Sequence, residues 1–239
     1  MNMFSRNTLV ASVGFVLVLF SAAEDVKVLK KHTYYNTSLD EVVLMTVNLQ
    51  EIELEAFKDI SVYFIQIYDN PLEKLRKGIF VNVSIHEMMF FGNNITTIEP
   101  GTFHGLHPLE ERGILLLSLS NNKLGNIKKG IFNNTKFRKL DLSTNRIKFI
   151  EPDSFDGMVD LFQLDLSVNF LEKIDVGVFQ NLATPTGWVQ LSLARNKIKF
   201  IDPYAFENTT LYTVDLQNNQ LGSLTSHYFK RTSIGNFDV

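Results

Sequence analysis

FRKLDLSTNRIKFIEPDSF, residues 137–155, is repeated in outline by LFQLDLSVNFLEKIDVGVF, residues 161–179. Counting Phe137 and Leu161 as place 1, both copies carry apolar residues at places 1, 4, 6, 11 and 14. Both also carry Asn at place 9 and Phe at place 19. Alternation over places 4 and 6 (Leu140 and Leu142, Leu164 and Leu166) has the period of a strand with one buried face. A unit this short cannot bury its apolar face alone, so a fixed period implies stacked units sharing one core.

Outward from this pair the same pattern starts at Leu39, Val62, Ile85, Ile114, Phe137, Leu161, Trp188 and Leu211. Two intervals are stretched by extra residues after the Phe, at His107–Arg112 and around Ala183–Gly187, which maps both insertions to one flank. Place 9 is Asn70, Asn93, Asn122, Asn145, Asn169, Asn196 and Asn219, with Val47 the exception in the first repeat. Asn suits a turn that stacking removes from water, because its amide both donates and accepts. Place 19 is Phe57, Phe80, Phe103, Phe132, Phe155, Phe179, Phe206 and Phe229, and place 14 is Ile or Leu throughout, from Ile52 to Leu224. The pattern predicts an α/β-class right-handed solenoid. Its parallel sheet lines the concave face of an arc, the Phe spine lies beneath the outer side, and turns or short 3₁₀ pieces make the return segments. Residues 39–233 form eight repeats of one domain and 24–38 a lead-in segment without a Cys cap. A ninth repeat begins at 234, with Phe237 at place 4 and Val239 at place 6. An uncovered last strand is a template for pairing. The chain is expected to be a truncated product of a longer gene, or its end to dock on another copy as a homodimer.

The spacing L-x-x-L-x-L-x-x-N-x-L with a late Phe resembles the extracellular leucine-rich-repeat family, in its typical subclass. Toll-like receptor ectodomains and the secreted leucine-rich immune proteins of insects are similar. The resemblance implies a secreted recognition module of innate immune type, with a matrix or cell-adhesion protein as the alternative. The chain departs from that family in lacking its Cys-containing end caps.

The first residues read as a leader. Arg6 precedes an apolar run from Leu9 to Phe20, and Ser21-Ala22-Ala23 is a small-residue cleavage site. The run is too short to span a bilayer. Removing residues 1–23 takes away Arg6 and no acid, so 22 basic side chains face 26 acids. A mildly acidic chain without a Lys/Arg tract argues against nucleic acid as partner. The sequence has no Cys, which excludes disulfides, thiolate metal sites and a Cys nucleophile. Sequons at Asn36, Asn82, Asn94, Asn133 and Asn208 fit glycosylation of a secreted, extracellular protein.

Places 2, 3, 5, 7 and 8 of each strand face the concave side. Val43, Met45, Tyr63, Phe64, Tyr68, Met89, Phe91, Leu115 and Leu116 make that face apolar and aromatic in the early repeats. Asp141, Ser143, Asp165, Ser167, Ser192, Asp215 and Gln217 make it polar and acidic in the later ones. An exposed apolar patch of this kind marks a site for an extracellular protein or glycan, although Met45, Tyr68 and Phe91 also suit a cross-strand ladder that stabilises the sheet. After the Asn, Lys123, Arg146, Lys148, Lys173, Lys197 and Lys199 form a basic rim. It could take a sulfated glycan or acidic partner, but the plainer reading, a solvated row of loop lysines, is preferred on sequence alone. No catalytic residue, metal site or cofactor is expected. His104 and His107 lack a third ligand, Glu41, His86 and Glu87 stand on an open wet face, and no Gly-rich phosphate loop follows a strand.

Overall fold

The computed structural model describes residues 16–20 (backbone), 26–111, 113–182, 189–222 and 228–238. Arg6, the start of the apolar run, Ser21–Ala23, Arg112, Ala183–Trp188, Leu224 and Val239 lie outside the described residues.

The alternating places do form strands, and the strands stack in chain order. Ser38–Met45, Phe57–Tyr68, Phe80–Met89, Ile114–Ser118, Phe137–Asp141, Gln163–Asp165, Val189–Ser192, Thr210–Asp215 and Ser233–Asp238 make one parallel sheet. Like places lie opposite one another: Leu140 faces Leu117 on one side and Leu164 on the other. Among the described residues there is no α-helix. The opposite wall holds two-stranded parallel ladders that pair places 13–14 of neighbouring turns, as Asn126–Ile127 with Phe149–Ile150. The fold is therefore a parallel β-solenoid.

Two sets of contacts hold consecutive turns together. Each ladder Asn reaches back across one turn. The amide oxygen of Asn145 accepts from Leu124 N at 3.1 Å, and its amide nitrogen donates to Leu119 O at 3.0 Å. Asn122, Asn169, Asn196 and Asn219 repeat both bonds on their own predecessors. Asn70 and Asn93 make the same backward reach. The Phe rings stack from Phe57 to Phe229 with centroids 5.3–6.3 Å apart. Burying each ring contributes about 1.5–3 kcal/mol, and stacking adds about 0.5–1.5.

The chain ends of the turns are set by left-handed backbone. Place 8 has φ between 51° and 70° in all eight repeats, at Thr46, Asp69, Gly92, Asn121, Thr144, Val168, Arg195 and Asn218. That single reversal stops the strand and aims the next residue, the ladder Asn, into the core.

The structure departs from the sequence reading in five places. In the early turns the return segment is not a turn: Phe57–Tyr68 and Phe80–Met89 run unbroken from the spine into the sheet. Their links, Lys58–Ser61 and Val81–Ser84, lack the Pro and Gly of the later EPDSFDG and stay paired in the sheet, each with one left-handed residue, Asp59 and Asn82 at φ 53°. The lead-in is a partial turn of the solenoid. Leu29 pairs opposite Ile52, and Tyr34 stacks on Phe57 at 5.3 Å, adding a ring to the spine. Its buried hydroxyl lacks a partner, and burial pushes the phenol pKa up. The first insertion becomes a strand, Leu106–Pro108, paired with Val83–Ile85. Val189, one residue beyond the expected start Trp188, is the residue opposite Leu211, with a register shift before Gln190. Within the apolar run read as a leader, Val16–Phe20 lies parallel to Glu41–Met45 at the sheet edge.

Candidate binding surfaces

On the concave face the early repeats bring their aromatic residues together, but not as one patch. Tyr63 and Phe64 lie 5.9 Å apart midway along their strand, and the ring of His86 sits 5.3 Å from Tyr63 and edge-on to Phe64 at 6.2 Å. Tyr63 is 39% exposed and donates to Glu110 Oε1 at 3.1 Å. That bond and the carboxylate charge raise the phenol pKa. Glu110 comes from the first insertion, so the inserted strand brings a carboxylate to this cluster. His86 Nδ1 is buried without a hydrogen-bond partner, 3.9 Å from Glu110 and with Nε2 3.8 Å from Glu87.

At the other end of the strands Met45 lies opposite Tyr68, and the Tyr68 hydroxyl is 2.6 Å from Gln66 Oε1 and 3.1 Å from Met89 Sδ. Burial, then the charges of Glu41 and Glu87, raise the Tyr68 pKa. Phe91, 43% exposed, closes this end. Between the two ends runs a polar belt, Gln66 Nε2 donating to Glu41 Oε1 at 2.6 Å. Val43, expected on the open face, keeps only 8% of its surface because it lies between Gln66 and the strand Val16–Phe20. Leu115 and Leu116 are half-buried, and Leu116 faces the acidic later repeats beside Asp141 and Asp165. Gln66 and Glu110 were not singled out from sequence; a lone Gln in a strand and a loop Glu carry no local signal.

The rim after the Asn ladder divides. Lys173 pairs with Asp175 at 2.9 Å and Lys199 stands 3.9 Å from Glu172. Lys123, Arg146 and Lys197, with Arg195, line a groove of about 590 Å³ that crosses five repeats. Val168 and Phe170 form part of its wall, and Lys197 Nζ stands 4.7 Å from the Phe170 ring centre.

The sequons also divide. Asn36, Asn82 and Asn208 are exposed at left-handed backbone positions, with φ of 50°, 53° and 57°, a conformation Asn tolerates well, Asn82 within the strand Phe80–Met89. Asn94 lies at one end of the groove. Asn133 is buried, its amide nitrogen donating to Asp153 O at 2.9 Å and its oxygen accepting from Gly130 N at 2.6 Å. The atom a glycan would take is committed there and buried, whereas at exposed Asn82 the amide nitrogen donates only to the side chain of Asp59, at 2.8 Å. Among the described residues no three His, Cys, Asp or Glu side chains gather as a metal site, and His104 and His107 border a separate hollow of about 200 Å³.

Comparison with known proteins follows the same division of the chain. A BspA-type leucine-rich-repeat region model matches residues 27–115, the part with long strands, and a leucine-rich-repeat model matches 113–171, where strands are short. Human Toll-like receptor 5 is 30% identical over 139 residues, 56% of this chain and 16% of the receptor. Bovine osteomodulin is 27% identical over 186 residues, 75% of this chain and 41% of osteomodulin. The chain thus spans less than half the length of either relative. The crystal structure of the leucine-rich repeat domain of APL1B superposes with a TM-score of 0.53 at 21% identity, covering 84% of this chain and 63% of that one, which supports the fold alone.

Proposed function

Because the chain is a leucine-rich-repeat protein whose repeats resemble those of Toll-like receptor ectodomains, we propose that it is a secreted recognition module. It binds another extracellular protein on the early part of its concave sheet, in an innate immune setting. The observation that carries this is the pairing of exposed Tyr63 and Phe91 with half-buried Phe64, Tyr68 and Met89 on one open face. Aromatic anchors with Met beside them supply most of the energy of protein interfaces. The Gln66–Glu41 belt between them gives such an interface a polar register. The 75% of the chain that aligns with osteomodulin supports the second reading, a matrix or adhesion protein.

The test is capture of partners from body fluid, with and without microbial challenge, by the wild type and by a Tyr63→Ala, Phe91→Ala double variant. The expected result is a protein retained by the wild type after challenge and bound at least about tenfold more weakly by the variant. Undiminished binding by a folded variant would remove the concave site. Recovery of matrix components alone would transfer the assignment to the matrix reading.

A further inference from the structure

We propose that the rim groove is a second binding site, independent of the concave face, and that it takes a linear sulfated polysaccharide. Place 10 of four successive repeats holds Lys123, Arg146, Phe170 and Lys197, and Arg195 joins them from place 8. Successive rungs of a parallel sheet are about 4.8 Å apart, so the place-10 row presents charge, charge, ring, charge from one repeat to the next. Among the described residues none of these four cations is paired with a carboxylate, whereas their outer neighbours Lys173 and Lys199 face Asp175 and Glu172. No acid lines the groove; Asp69 stands beside Gly92 at its end, where a Cβ on Gly92 would come within 2.2 Å of Asp69 Oδ1.

A further observation points to a ligand. Val168 and Phe170, 41% and 38% exposed, give the groove an apolar wall. The class of ligand follows from what the wall withholds. The N–H groups of Asn94, Lys123, Arg146, Phe170 and Lys197 are bonded to carbonyls of the preceding repeat. The N–H groups one residue further on are bonded to ladder Asn oxygens. A peptide laid in the groove meets no free amide row and cannot add as a strand. A sulfated sugar chain needs neither: its sulfates meet the cations and a ring face lies on Phe170 and Val168.

The test is binding of a heparin oligosaccharide to the full chain across a salt series, beside polyglutamate of equal charge. Arg146→Gln with Lys197→Gln uses the residue that Gln220 already places at this turn, so the fold tolerates it. The double variant should bind heparin at least about tenfold more weakly, with a salt slope lower by about 2. A Lys148→Gln, Lys199→Gln control should bind within about twofold of the wild type, the pair lying outside the groove. Phe170→Ala should weaken heparin and leave polyglutamate unchanged. Heparin affinity unaltered in the double variant, or equally lost in the control pair, would overturn the groove as a site. Polyglutamate bound as tightly as heparin and insensitive to Phe170 would overturn the polysaccharide in favour of an acidic peptide. None of these outcomes bears on the concave face, since Tyr63 and Phe91 are untouched.

Discussion

Asn145 makes the chain's repetition mechanical: one amide joins Leu124 N and Leu119 O of the preceding turn to Leu142 O and Ser143 O of its own. Three of the four bonds are buried and the one to Ser143 O is part-buried, so little solvent replaces them when the side chain goes. Asn145→Ala should lower the unfolding free energy by roughly 1–3 kcal/mol. Phe155, stacked between Phe132 and Phe179 at 6.1 and 5.8 Å, leaves a cavity instead, and Phe155→Ala should cost about 3–5 kcal/mol. Urea titration of both variants checks the pair; two unchanged midpoints would remove the ladder and the spine as sources of stability. These roles were legible because a residue type recurred at a fixed place. The left-handed backbone at place 8 was not, since Thr, Asp, Gly, Asn, Val and Arg all occupy it.

Between the lead-in and the first repeat, charge does what the Asn ladder does elsewhere. Glu55 Oε2 is 3.0 Å from His32 Nε2 and 3.2 Å from both Lys31 Nζ and Lys58 Nζ. The His32 hydrogen bond first, then those of Lys31 and Lys58, hold its carboxyl from 4.5 down to about 2. A carboxylate lowered on folding stabilises above its unfolded pKa and loses that contribution as pH falls through the folded one. Wild type and Glu55→Gln should therefore differ in melting temperature near neutral pH, and the difference should close between about pH 4.5 and about pH 2. The group is exposed, so added salt should shrink the difference at every pH. A constant difference across that window would mean that Glu55 acts through packing.

Over the whole molecule, spine rings 5.3–6.3 Å apart stand opposite a sheet whose strands are about 4.8 Å apart. The longer spine turns the stack into an arc with the sheet inside it. Each turn touches only its neighbours, so opening is expected turn by turn rather than all at once. Val47 lacks the backward amide that later repeats possess, and Ser38–Met45 is tied by Asn70 from one side only. Amide exchange should then be faster in Ser38–Met45 than in Phe137–Asp141, which has ladder bonds on both sides. Equal protection would show that the first turn is held by something other than the ladder.

The sequence by itself determined the repeat period, the strand faces, the Asn ladder and the Phe spine, because each depends on spacing along one chain segment. Only the tertiary structure decided which surface residues meet. Val43 alternates as an exposed residue but is covered by neighbouring strands, and Tyr63 finds Glu110 across 47 residues. The basic rim shows the difference most plainly. Lys123, Arg146, Lys197 and Lys199 look alike in sequence, yet Lys199 faces a carboxylate and the other three share a groove. That outcome depends on side chains of adjacent rungs, 23 to 27 residues apart, being brought within reach by stacking.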